Sequence, residues 1–347
     1  MTFALHDTPP RTLSRKPPAV RPTRDVTRDF TYAHSTGSVP ARLVIRALEN
    51  ATGRLALMRR AAGYQGDVAQ GRDVWRVMME RFGLRLDVIR GSLGAIPADG
   101  PLVLVANHPF GILDGLVLGH ILSAVRQGEF RIMAHQVFQR AEDLRRVILP
   151  IDFAGTRAAQ AANLETRAAA IRYLRQGGAI GIFPGGTVAT GARPFAEAMD
   201  PVWRGFTARM IAKSGATVVP ICFEGQNSRL FQVASHLSTT LRMGLLVREF
   251  AARTDSTVRL SVGEPIPAEA LRTSVSDAKQ VMDFLRRRTY DLSPIPSDRA
   301  PLDPGSRSRN SDRGSNGSRR VRFRARGAHG PGRAGQAAAG RAFRLLR

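Results

Sequence analysis

Apolar residues along this chain fall into two alternating rhythms. Short apolar-rich runs occur at Leu86 to Ile89, Leu102 to Ala106, Phe130 to Ala134, Ala179 to Phe183, Thr217 to Phe223 and Val258 to Val262, with 102–106 wholly apolar. Runs of this length suit strands buried on both faces. Between them lie stretches that read as helices: about Asp73 to Phe82, Gly115 to Ala124, Arg157 to Gln176, Val202 to Ser214 and Asp277 to Arg288. Thr156 is placed to cap the third of these, and Gly177-Gly178 to stop it. The alternation predicts a single α/β domain over residues 85–292, with a mostly parallel central sheet flanked by helices.

The two ends read differently. Residues 39–84 predict an N-terminal helical segment. Within it, 41–60 forms one helix with Leu43, Val44, Ala47, Leu48, Ala51 and Leu55 at helical spacing and Arg42, Arg46, Arg54, Arg59 and Arg60 among them. That pattern fits a membrane-interfacial helix and equally an ordinary packed one with solvated arginines. Residues 1–38, rich in Pro, Arg and Thr, predict a disordered basic arm, and residues 293–347 a disordered Arg-rich tail.

Charge narrows the partners. The formal net charge is +24. The tail 301–347 holds 12 Arg against 2 Asp, residues 1–30 six basic against three acidic residues, and the remainder keeps a surplus of +11. An anionic partner is expected: a phospholipid surface, nucleic acid or an acidic carrier protein. Aromatics are only 6% of residues, and no aromatic-basic interleaving suggests a stacking surface, so no specific nucleic-acid surface is expected. The single cysteine, Cys222, precludes an intramolecular disulfide and suits a reducing compartment. No His cluster has metal-ligand spacing, and no window of about 18 apolar residues predicts a spanning helix. The N-terminus lacks the apolar core of a signal peptide.

The chemistry concentrates at strand ends. Asn107-His108-Pro109-Phe110-Gly111-Ile112-Leu113-Asp114 follows the run 102–106. An imidazole held by a carboxylate is a general base, and the carboxyl end of a strand is where α/β enzymes place such groups. Asp114 also has a plainer reading, as a carboxylate in the first turn of a helix. Two further strands deliver Pro184-Gly185-Gly186-Thr187 and Glu224-Gly225-Gln226-Asn227 to the same sheet edge. Glycine turns let a substrate approach backbone amides that can face an anion.

Over residues 85–265 the chain resembles the glycerophospholipid acyltransferase family, typified by 1-acyl-glycerol-3-phosphate acyltransferase. Asn107-His108 through Asp114 resembles its Asn-His-x4-Asp motif, and Phe183-Pro184-Gly185-Gly186-Thr187 its Phe-Pro-Glu-Gly-Thr-Arg block. Arg204-Gly205 resembles the basic-Gly pair that follows, and Val218-Val219-Pro220 the final Val-Val-Pro strand. Leu149 to Phe153 stands weakly in place of an Arg-containing block. The resemblance implies that His108 deprotonates an acceptor hydroxyl and Asp114 orients it. It also implies substrate contacts from Asn107, Phe183, Pro184, Gly185, Gly186, Thr187, Arg204 and Pro220. The donor is then acyl-CoA or acyl-carrier protein as co-substrate, with no bound cofactor or metal. The acceptor is a lyso-lipid, and the enzyme sits peripherally or monotopically on anionic lipids at the cytoplasmic face of the inner membrane.

Two departures alter the expectation. Five residues, not four, separate His108 from Asp114, as in haemolysin-like members of that family. The Phe-Pro-Glu-Gly-Thr-Arg block has Gly185 for Glu and Val188 for Arg. A lost charge-assisted contact is worth roughly 1.5–3 kcal/mol. A lyso-aminolipid acceptor is therefore expected over lysophosphatidate, with Arg157, Arg193, Arg204 or Arg229 as substitute cations. The rival readings are a 1-acylglycerol-3-phosphate acyltransferase proper and a non-catalytic lipid- or nucleic-acid-binding protein. No Gly-x-Ser-x-Gly elbow supports a serine hydrolase, and no phosphate-loop motif a nucleotide site.

Overall fold

The computed structural model describes residues 31–33, 36–140, 142–274 and 277–294. Most of the predicted arm 1–38 and of the tail 293–347 lies outside these residues. Nine strands are seen in this part: β1 (Arg85–Arg90), β2 (Leu102–Ala106), β3 (Arg131–His135), β4 (Ile148–Ile151), β5 (Ala179–Ile182), β6 (Thr190–Gly191), β7 (Ala198–Met199), β8 (Thr217–Phe223) and β9 (Thr257–Val262). Seven of them form the central sheet in the order β1-β9-β8-β2-β5-β3-β4. Every pairing is parallel except β8 with β9. The predicted α/β class with a mainly parallel sheet is what the chain adopts.

Strand β2 shows why an unbroken apolar run is needed at the centre. Its five residues are all buried. Leu102, Leu104 and Ala106 enter the core on one face, and Val103 and Val105 the core on the other. The first face carries α1 (Val39–Ala51), α2 (Arg54–Ala61), α4 (Val74–Arg81), α5 (Ile112–Arg126), α9 (Arg229–Leu237) and α10 (Thr239–Ala251), and the short α3 (Tyr64–Ala69) is tied to α4 by the Asp67–Arg81 ion pair. The second carries α7 (Arg157–Arg175), α8 (Phe206–Ser214), α11 (Ala268–Ser274) and α12 (Ala278–Tyr290). The short helix α6 (Glu142–Arg145) precedes β4.

Besides the unread helices α9 and α10 and the short strands β6 and β7, three features differ from the sequence reading. The single helix expected over 41–60 is two helices, broken at Gly53, whose φ of 129° is closed to other residues. The glycine also lets the break press onto α10, since a Cβ there would come within 2.5 Å of Ala251 Cβ. Strand β4, with Pro150 inside it, was not expected. It lies at the sheet edge, where proline costs no ladder bond. Third, Thr31, Tyr32 and Ala33, assigned to the arm, are buried. Glu49 of α1, fully buried, accepts hydrogen bonds from Thr31 Oγ1 (2.5 Å) and the Tyr32 amide (2.6 Å). Burial raises the pKa of Glu49 above the ordinary carboxylate value, although these two bonds oppose the shift.

Candidate active site

Because β8, β2 and β5 are neighbours running in one direction, their carboxyl ends deliver three loops side by side. The central loop carries His108. Its Nδ1 lies 2.9 Å from Asp114 Oδ2. Asp114 is wholly buried in the first turn of α5, and the same oxygen accepts the amides of Phe110 (2.8 Å) and Gly111 (2.9 Å). Both sequence readings of Asp114 therefore hold at once: it closes the helix N-terminus and holds the imidazole. The extra residue of the longer spacing is absorbed at Gly111, with φ 94°. With Nδ1 bound to a carboxylate, the ring carries its proton there, and Nε2 is left as the basic nitrogen.

His108 is held on its other sides as well. Its ring stacks on Phe183, with centroids 4.1 Å apart and planes 21° apart. Its carbonyl accepts the Ala189 amide (2.7 Å), and its own amide donates to Asp200 Oδ1 (3.0 Å). Sequence reasoning did not single out Asp200. This residue is 3% exposed, accepts the Trp203 indole N–H (2.9 Å) on its other oxygen, and takes Arg286 Nη2 on its carbonyl (2.8 Å). Its amide donates to the Tyr290 hydroxyl (2.9 Å). Burial pushes its carboxyl up to about 6, although the Trp203 and His108 hydrogen bonds and the charges of His108 and Arg286 pull the other way.

The predicted substrate contacts separate into two groups. Phe183, Pro184, Gly186, Thr187 and Arg204 line the same cavity as His108. The Gly186 amide turns back to the Phe183 carbonyl (2.9 Å), so it is not offered to a ligand. The Thr187 amide meets no protein acceptor among the described residues. Asn107, Gly185 and Pro220 do not line the cavity. Asn107 instead bonds both ways with the backbone of Phe223, at 2.9 and 2.7 Å, and ties the end of β2 to β8. Pro220 lies within β8, level with Val105 of β2. Gly185 faces Asp200: a side chain there would begin 3.2 Å from Asp200 Cβ. The third loop also serves as support, for Gly225 and Asn227 back Phe110 rather than the cavity.

The cavity itself was not foreseen. It holds about 1080 Å³ and runs among apolar side chains of the first face, including Tyr32, Trp75, Met78, Leu116, Phe138 and Phe250. Three arginines, Arg167, Arg204 and Arg242, and one aspartate, Asp143, also border it. Arg157, Arg193 and Arg229, named from the sequence as substitute cations, do not. Among the described residues no cluster of His, Cys, Asp or Glu has the make-up of a metal site. No described helix is long and apolar enough to cross a membrane.

A family model described as "Acyltransferase" matches residues 80–296. The chain belongs to this acyltransferase family. It is 26% identical over 229 residues to a lyso-glycine lipid O-acyltransferase of Phocaeicola vulgatus, covering 64% of this chain and 78% of that one. A protein of the same description from Bacteroides thetaiotaomicron is 22% identical over 228 residues, covering 64% and 80%. Among solved structures, the 1-acyl-sn-glycerophosphate (LPA) acyltransferase PlsC of Thermotoga maritima aligns with a TM-score of 0.41 at 16% identity. That alignment spans 74% of this chain and 97% of that one.

Proposed function

We propose that this acyltransferase moves a fatty acyl group from a thioester, acyl-CoA or acyl-carrier protein, to the hydroxyl of a lyso-lipid. The acceptor we favour is a lyso-aminolipid. The observation that carries the reading is His108: its Nδ1 is committed to a buried carboxylate, and its ring borders a large apolar cavity. His108 Nε2 takes the hydroxyl proton as the oxygen attacks the thioester carbonyl. The C–S bond of the tetrahedral adduct then breaks, and the imidazolium returns the proton to the departing thiolate. Asp114 fixes the tautomer and stabilises the imidazolium. The hydroxyl attacks directly, so no nucleophilic side chain is required. The Thr187 amide is a candidate donor to the oxyanion. The apolar cavity suits acyl chains, each buried methylene contributing about 0.8 kcal/mol.

The curated relatives are described as acting on a lyso-glycine lipid. An amino-acid headgroup joined through its nitrogen ends in one carboxylate, which needs fewer paired cations than a phosphomonoester. Attachment to anionic membrane lipids belongs to the same proposal. On α1, Val39 (63% exposed), Leu43 (68% exposed) and Val44 point outward with Arg42 and Arg46 beside them. Such a face suits the lipid interface.

The test gives the purified protein one acyl donor and, side by side, a lyso-aminolipid and lysophosphatidate. Transfer with preference for the lyso-aminolipid is expected. A clear preference for lysophosphatidate would return the protein to the phosphatidate-forming reaction. Transfer to neither, with a well-folded protein and both thioester donors tried, would reject the lyso-lipid reading.

A further inference from the structure

The loop that follows β5 is gripped by a cation from a distant helix. Arg242 of α10 donates to Thr187 Oγ1 (2.9 Å), to the Val188 carbonyl (2.5 Å) and to Thr190 Oγ1. Its guanidinium lies 5.3 Å from the centre of the Phe231 ring. All these partners are neutral. Among the described residues no carboxylate pairs with Arg242, although the group borders the cavity and is only partly exposed. Burial accordingly draws its pKa below the usual arginine value, with no neighbouring acid to offset the shift. A desolvated cation without an anion is costly, and an arriving anion relieves that cost.

Its place is close to the chemistry. The peptide group joining Val188 to Ala189 receives Arg242 on its carbonyl and donates its N–H to the His108 carbonyl. The three bonds to the loop use Nη1 once and Nη2 twice, fewer than the guanidinium's five N–H groups. The other two arginines of the cavity are less constrained. Arg204 is exposed and lies 5.7 Å from the centre of the Phe153 ring, and Arg167 lies over Phe206.

We propose that Arg242 binds the anionic group of the acceptor, a carboxylate or phosphate oxyanion, and so sets the distance between that group and the hydroxyl presented to His108. The inference rests on the proposed lyso-lipid acyl transfer. It adds a specificity rule: the acceptor must carry an oxyanion that reaches α10 while its hydroxyl reaches the imidazole.

The test compares wild type, Arg242→Gln, Arg242→Lys and, as a control away from the cavity, Arg157→Gln on three acceptors with the same acyl chain. These are a lyso-aminolipid with a free carboxylate, its neutral carboxamide, and lysophosphatidate. Wild type should use the carboxylate at least about tenfold better than the carboxamide in kcat/KM. Arg242→Gln should erase that ratio by raising KM for charged acceptors, with the donor KM unchanged. Arg242→Lys should restore part of it, and Arg157→Gln, outside the cavity, should leave it unchanged. Whichever charged acceptor loses more in Arg242→Gln identifies the oxyanion. Equal losses on carboxylate and carboxamide, or a change confined to the donor KM, would overturn the proposal. Circular dichroism on each variant separates these outcomes from unfolding. If wild type acylates none of the three, the lyso-lipid reading has failed. If it acylates them without regard to charge, only the role of Arg242 has.

Discussion

The β2–α5 turn and the β5–β6 loop lie side by side on one sheet edge, yet they are built in opposite ways. The first is local. His108, the amides of Phe110 and Gly111, and Asp114 complete one another within seven residues. The second is borrowed. Position 185 is glycine, and the carboxylate against it comes from Asp200. Position 188 is valine, and the guanidinium on its carbonyl comes from Arg242. In the block this loop resembles, both charges are part of the loop's own sequence. A site can thus lose two charged letters from a motif and keep a carboxylate and a guanidinium in the same neighbourhood.

The sharpest way to break the comparison is to remove the local pair. His108→Ala should lower turnover by about 10²-fold or more while leaving thermal unfolding near wild type. Asp114→Asn should also cut turnover substantially, because the amide no longer enforces the tautomer. Near-wild-type turnover in a purified His108→Ala variant would remove the general base from the mechanism.

A second measurement probes the borrowed carboxylate. Burial pushes the Asp200 carboxyl up to about 6, above the ordinary aspartate value. The stabilisation linked to its proton is full below the unfolded value and is lost as pH rises through the folded one. Wild type should therefore gain on Asp200→Asn by roughly 2 kcal/mol as pH falls from 7 to 4. Chemical denaturation of both proteins across that range reads the difference directly. A difference that stays constant with pH would show that burial does not raise the Asp200 pKa above its unfolded value.

The smallest expected effect lies farthest from the site. Leu43→Asp on the outer face of α1 should weaken partition onto anionic vesicles by about tenfold, roughly 1–2 kcal/mol. Raised salt should weaken wild-type binding as well. Sedimentation with vesicles that shows neither change would assign that face another role.

What the sequence disclosed follows the same division. Buried parallel strands announce themselves as apolar runs, so the ends of β2, β5 and β8, and with them His108 and Asp114, could be read directly. Helices α9 and α10 went unread because Leu237 and Thr239 flank a single cap, Ser238, with no glycine or proline to mark the break. Losing α10 meant losing Arg242. Its one signal was an arginine set among Leu241, Leu245 and Leu246 of an otherwise apolar stripe. Asp200 stood three residues before the Trp203-Arg204-Gly205 element, but nothing local tied it to His108, 92 residues earlier. The cavity had no signal, because a void is a property of packed neighbours and not of any segment.

The antiparallel join of β8 and β9 has a further consequence, for the order in which the molecule can be completed. Edge strand β1 pairs with β9 alone in the central sheet, and Arg85 faces Thr257, 172 residues later. Helix α1 packs on α10, which is also made late. At roughly 5–20 residues per second, a ribosome leaves β1 without β9 for roughly 10–35 s. Strand β1 and helix α1 are made early and completed late, so the outward apolar face of α1 emerges before the helix and sheet it packs against.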